Sequence, residues 1–321
     1  MACVLHLIDR VAAGVMRVPR LVPRFFPDGW GDRDAFEFHR RERRDPPPAS
    51  KVEVEWLPNP TQPGRMLGTF TSPSEALPAP ARRARVLWMG AHHHRQVVLL
   101  AASNDHTWRT REAVASHLLN LGIGSVILEN PYYGARRVRD GQALATVADF
   151  FRMGSATVAE ARALLVWLSA RGHAPGVAGF SQGGSVAAHV SALAPLPVAT
   201  ACMAAGPSPA PVFTEGIIAT TIDWDALGGK AAALPRLRAE LDDVTVTRYE
   251  PAEHHARAVV AGGRRDAYVA PGDVAALAGH WPGAELVWLD GGHASFHLYG
   301  KSTQAVLIRR AFDRFERFTR A

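Results

Sequence analysis

Apolar positions recur along this chain in blocks whose period changes, and each change marks an element. Between residues 4 and 18, Val4, Ile8, Val11 and Val15, flanked by Leu5, Ala12 and Met16, repeat at helical spacing until Pro19. This predicts an amphipathic first helix with Arg10 and Arg17 on its edges. Its low charge suits docking on the body of the protein better than the other use of such a helix, contact with a membrane surface. Phe25, Phe26 and Trp30 make a bulky aromatic turn. Arg40 to Arg44, followed by Pro46-Pro47-Pro48, read as a solvated connection, so residues 1–50 are expected to be helix and linker. Residues 51–57 alternate charged side chains with valine and tryptophan, as a half-buried strand does. Residues 65–71 and 85–89 add an antiparallel edge around a proline-rich surface loop at 72–83.

The period then shifts. Residues 96–102 form a continuous apolar run, the mark of a strand buried on both faces, and open into polar residues at 103–108. A helix at 109–121, a strand at 125–128, and a helical block with Val158, Ala161, Leu165 and Leu168 in register lead to a strand ending at Phe180. Beyond it, Gly184, Ala187, Ala188 and Ser191 give a helix one small-residue face, and 198–205 is again apolar. Such alternation predicts a right-handed, mostly parallel sheet with helices on both faces. Residues 207–255 break the pattern for longer than a connection needs, and read as a lid inserted after the sixth strand. Strands at 257–262 and 285–289 resume the sheet. A closing helix at 303–318 turns Val306, Ile308, Phe312 and Phe315 inward. The core is therefore expected to span 51–206 and 256–321.

Chemistry concentrates at the ends of those strands. Gly179-Phe180-Ser181-Gln182-Gly183 fits the G-x-S-x-G nucleophile elbow, in which a serine sits on a tight turn between strand and helix. A hydroxyl becomes a nucleophile only when a base takes its proton, so a histidine oriented by a carboxylate should follow in the order Ser, acid, His. Asp266 lies just past the strand ending near Gly262, and His293 just past the last strand, which makes them the candidates. Asp290, His280 and His297 compete, and Asp273 reads as a helix cap. The Gln182 N–H is one expected oxyanion donor, and Ser103 or Asn104 supplies the other. Phe213, Ile217, Ile218 and Trp224 on the lid are the expected substrate pocket. His92-His93-His94 point in different directions along a turn, so no metal is expected there, and nothing else calls for a cofactor.

Composition narrows the classes. Of 321 residues 47% are hydrophobic and 21% charged, enough to bury a large core. The net charge of +6 is carried by arginine, since only Lys51, Lys230 and Lys301 are lysines, and no nucleic-acid motif accompanies it. Cys3 and Cys202 cannot build a disulfide framework. Asp9 and Arg10 interrupt the first apolar run before it reaches the length of a secretory signal, and no run spans a bilayer. The expected location is cytoplasmic, with peripheral membrane contact through the first helix as an option.

Several motifs resemble the α/β-hydrolase-domain-containing protein 18 family. They are Ser103-Asn104-Asp105-His106, Leu128 to Gly134 (Leu-Glu-Asn-Pro-Tyr-Tyr-Gly), the run from Asp149 to Glu160, Val212 to Gly216, Ile222-Asp223-Trp224, Asp266 to Val269, and Gly291-Gly292-His293. Where the family tends to read Gly-Thr-Gly-Asp-His, this chain has Ala102 to His106 (Ala-Ser-Asn-Asp-His). The resemblance implies the α/β-hydrolase fold, an ester-hydrolysing activity, lipid esters included, and a Ser181, Asp266, His293 triad. The expected function is therefore a serine ester hydrolase working through an acyl-enzyme. The alternatives are a thioesterase or peptidase on the same residues, or a hydrolase fold kept as a binding module. The oligomeric state is not legible.

Overall fold

The structure, a computed structural model, describes residues 6–16, 24–57, 64–140 and 144–319. Cys3, Val4, Leu5, Arg17, Val18 and Pro19 lie outside them. A nine-stranded sheet runs through the molecule in the order β1-β2-β3-β5-β4-β6-β7-β8-β9. Its strands are β1 (Glu55–Trp56), β2 (Arg65–Thr71), β3 (Arg83–Met89), β4 (Arg95–Leu100), β5 (Ile123–Leu128), β6 (Ala174–Phe180), β7 (Ala199–Met203), β8 (Val259–Gly263) and β9 (Glu285–Leu289). The first three pair antiparallel, β3 joins β5 antiparallel, and every pair from β5 to β9 is parallel. The strand expected over 51–57 shrinks to two residues, with Trp56 stacked on Trp88 at 5.4 Å.

The described helices are α1 (Leu7–Met16), α2 (Arg33–Arg44), α3 (Arg109–Leu119), α4 (Val147–Ser169), α5 (Gln182–Ala192), α6 (Ala210–Thr214), α7 (Lys230–Asp242), α8 (Pro271–His280), α9 (His293–Tyr299) and α10 (Lys301–Thr319). Helices α3 and α10 bury Val114, Leu118, Ile308 and Phe312 against one face of the sheet, while α4, α5 and α8 bury Leu165, Ala188 and Leu277 against the other. Val306 faces solvent instead of the sheet, because α10 is rotated to bury Ala305 and Leu307. The small-residue face of α5 works as its composition predicts: a Cβ on Gly184 would stand 2.7 Å from the Met203 carbonyl oxygen. No helix among the described residues is long and apolar enough to cross a membrane.

The N-terminal segment departs from the linker expectation. Arg33–Arg44 is a helix whose inner face buries Ala35, Phe36, His39 and Arg43. Arg43 donates from Nη2 to Asp243 at 2.6 Å and Arg40 from Nη2 to Glu240 at 2.6 Å, so carboxylates at the end of α7 pair with the arginines the sequence placed in water. The proline-rich loop at 72–83 likewise buries Leu77 and Ala81. Residues 207–255 follow β7, the seventh strand, one strand later than the expected insertion point. They pack on the N-terminal segment and α4 as a third core, with Phe25, Phe26, Phe151, Phe213, Ile218 and Leu237 inside it.

Candidate active site

Ser181 stands between β6 and α5 with φ 57° and ψ −124°, a conformation that a residue with a Cβ seldom adopts. Its flanking glycines make that turn possible. A Cβ on Gly179 would lie 2.3 Å from Gly183 backbone, and one on Gly183 2.6 Å from the Leu100 carbonyl oxygen. The Ser181 N–H donates to Met203 O at 2.8 Å, which pins the turn to β7. Held this way, the hydroxyl projects beyond the strand ends, where loops from β8 and β9 arrive.

Those loops carry Asp266 and His293. His293 Nε2 lies 2.9 Å from Ser181 Oγ, and His293 Nδ1 lies 2.8 Å from Asp266 Oδ2. An ionised carboxylate only accepts, so Nδ1 carries the proton and Nε2 is left to accept the serine O–H. Asp266 is nearly buried and its second oxygen accepts the N–H groups of Tyr268 at 2.7 Å and Val269 at 2.9 Å. The Tyr268 ring stacks on the imidazole at 4.6 Å, and its hydroxyl pKa is pushed up to about 12 by burial and by the carboxylates of Asp9 and Asp266. The competing residues fall elsewhere. Asp290 is exposed and pairs with Arg265, while His280 meets the Tyr249 carbonyl.

Both expected oxyanion loops border the hydroxyl, yet they differ in readiness. Gln182 opens α5, so its N–H has no acceptor inside the helix. Asn104, at φ 60°, already donates its N–H to the Tyr133 hydroxyl at 3.0 Å, so that donor has an acceptor in the resting fold.

A cavity of about 410 Å³ runs from Ser181 between α4, α5 and the segment after β7. Phe150, Val158, Val186, Val212, Phe213 and Ile218 supply apolar wall, and Arg43, His189 and Tyr249 close the far side. Of the four pocket residues expected from the sequence, Phe213 and Ile218 line it. Ile217 and Trp224 do not: Ile217 is buried away from the cavity, and Trp224 turns its Nε1–H to the Ala219 carbonyl at 3.1 Å.

Residues 23–254 and 230–314 match the family alpha/beta hydrolase domain containing 18. The chain belongs to that family. Acetyl xylan esterase 1 from Thermoanaerobacterium sp. shares the architecture at a TM-score of 0.56 and 14% identity, over 90% of this chain and 96% of that one. An acetyl xylan esterase from Paenibacillus sp. R4 does so at 0.54 and 12%, over 88% and 96%. An esterase from Pyrococcus furiosus matches at 0.50 and 14%, over 83% and 98%. At such identities it is the fold that is shared, and this chain has the α/β-hydrolase fold. Within this hydrolase-domain family member, the Glu129 to Gly134 string is scaffold. A Cβ on Gly134 would collide with the Glu129 carboxylate at 2.2 Å, Tyr133 anchors the Asn104 loop, and Arg136 just beyond forks onto Glu160 at 2.8 and 2.5 Å.

Sequence reasoning missed Asp9, Tyr133 and Tyr268 as neighbours of the site. His297, weighed there as a rival base, lies against Phe180 at 5.4 Å on the cavity wall, and burial and Lys301 press its pKa down to about 4. The unfolded chain therefore takes up a proton on this residue near pH 6.5 and the folded chain only near pH 4, so stability falls as pH drops through that window. His297→Phe is expected to flatten the fall, measured as urea unfolding free energy at pH 7.0, 5.5 and 4.5. A variant with the parent slope would show that His297 does not drive it.

Proposed function

We propose that this α/β-hydrolase is a serine hydrolase that cleaves carboxylic esters, acyl lipids among them. The observation that carries the reading is the unbroken hydrogen-bond path from Ser181 Oγ through His293 to Asp266, at a strained elbow facing an apolar cavity. Ser181 Oγ attacks the ester carbonyl carbon as its proton passes to His293 Nε2, and Asp266 stabilises the imidazolium through Nδ1–H. The Gln182 and Ser103 N–H groups receive the oxyanion; one such donor is commonly worth about 3 kcal/mol in the transition state. Collapse breaks the C–O bond, and His293 returns the proton to the leaving alcohol. Water then repeats the sequence on the acyl-enzyme and releases the acid.

The cavity wall supports an apolar acyl group. Leu298 lines the cavity and is 55% exposed, so an aggregated lipid ester can reach the entrance over apolar surface. A fluorophosphonate is expected to label the parent at Ser181, located by peptide mapping. Across matched substrates, oxygen esters should turn over faster than anilides, which separates an esterase from a peptidase. Preference for thioesters over oxygen esters would instead make the protein a thioesterase, and a folded protein that neither labels nor turns over any acyl series would be a binding module.

A further inference from the structure

Asp9 lies in α1, more than 250 residues from either loop of the site, and is completely buried. Its carboxylate accepts three backbone N–H groups: Ala267 to Oδ2 at 3.0 Å, His293 to Oδ2 at 2.7 Å and Ala294 to Oδ1 at 2.9 Å. Ala267 follows the acid Asp266, and His293 and Ala294 open the helix that begins with the base. One carboxylate thus ties the two loops together at the residues whose side chains must meet. The neighbouring sequence makes room for it, because a Cβ on Gly292 would lie 2.4 Å from Asp9 Cγ. A second bond in the same direction, His6 N–H to the Arg265 carbonyl at 3.3 Å, seats the start of α1 on the β8 loop.

Elementary energetics says the arrangement is not incidental packing. A buried carboxylate is costly unless hydrogen-bonded, and here the donors are backbone groups that would otherwise be left without acceptors at the start of α9. The apolar side chains of the helix add only partial burial to its docking. Of the apolar stripe, Val11 and Val15 are 62 and 45% exposed, and Leu7 beside it is 69% exposed, while Ile8 and Ala12 are half-buried, so α1 docks through the side carrying Asp9.

Resting on the serine hydrolase reading above, we propose that Asp9 is a positioning residue: it sets the Asp266 loop and His293 in mutual register, which makes the first helix part of the working site. Asparagine at this position keeps the shape but presents an NH₂ to a backbone donor, so the register loosens without a cavity. Displacements on the order of 1 Å among reacting groups cost about 100-fold in rate.

The test uses the full chain with Asp9→Asn, Asp9→Ala and, on the exposed side of α1, Val11→Ala. A soluble short-chain ester gives kcat and KM, a fluorophosphonate gives the labelling rate at Ser181, and thermal melting reports folding. Both Asp9 variants are expected to lose kcat by about 10- to 100-fold with KM within twofold, while Val11→Ala matches the parent. In Asp9→Ala, formate should restore turnover saturably by filling the vacated carboxylate position, and chloride should not. A kcat within twofold of the parent in Asp9→Asn and Asp9→Ala overturns the proposal. So does a loss that formate leaves unchanged and that follows the unfolded fraction. A parent that neither labels nor turns over ester overturns the underlying hydrolase reading and this inference with it, whereas an active parent with unaffected Asp9 variants overturns only the inference.

Discussion

Replacing Ser181 with alanine is expected to lower kcat on the order of 10⁶-fold and to abolish fluorophosphonate labelling, with the melting temperature close to that of the parent. In the proposed mechanism the three side chains act as one unit: without the hydroxyl, His293 has no nucleophile to deprotonate, whatever the proposed oxyanion donors still contribute. Glycine at the same position separates chemistry from strain. Ser181 holds φ 57°, ψ −124° against the preference of any residue with a Cβ, at a cost of about 1–3 kcal/mol. Alanine keeps that Cβ and glycine removes it. Ser181→Gly should therefore be as inactive as Ser181→Ala yet melt a few degrees higher, roughly 1.5 °C per kcal/mol in a chain of this size. Retention of activity within 100-fold in either variant would remove Ser181 from the reaction. A glycine variant that melts below the alanine one would remove the strain.

Much of this geometry could be read before any coordinates, for a physical reason. A glycine is required wherever a Cβ would strike backbone, so Gly179 and Gly183 advertise the elbow, and the residues after buried strands must gather at one end of a parallel sheet, so chain order put Asp266 and His293 near the elbow, with Asp290, His280 and His297 as rivals. The misplaced parts share a different property. The side of α1 that docks is decided by one carboxylate and backbone donors more than 250 residues away, and hydrophobic period carries no trace of them. The arginines of α2 read as solvated because Asp243 and Glu240, their partners, are some 200 positions distant. Phe213 and Ile218 face the cavity while Ile217 and Trp224 do not, and that division depends on the third core built with Phe25, Phe26 and α4. That Asn104 donates its N–H to the Tyr133 hydroxyl depends on a loop-to-loop contact that the sequence does not mark.

Asp266→Asn is expected to reduce kcat by about 10⁴-fold, although the two side chains are nearly the same shape. Asp266 Oδ1 accepts two backbone N–H groups, from Tyr268 and Val269, and Oδ2 accepts His293 Nδ1–H. An asparagine must keep its single oxygen toward the two backbone donors, because turning it would set an NH₂ against both. Its amide nitrogen then occupies the Oδ2 position and donates to Nδ1. The imidazole proton is forced onto Nε2, where it points at Ser181 Oγ and leaves no lone pair to accept the hydroxyl proton. The defect is one of tautomer and charge, so the isosteric substitution should be at least as damaging as Asp266→Ala, which leaves the ring free to choose its proton. Asp290→Asn is the internal control: the residue lies in the neighbouring loop but is exposed and paired with Arg265, and its kcat should stay within twofold of the parent. Measured as kcat on a soluble ester alongside the fluorophosphonate labelling rate, the two readouts should fall together in Asp266→Asn. A loss below tenfold, or an asparagine variant clearly more active than the alanine one, would mean that Asp266 only shapes the loop and that another group holds the imidazole.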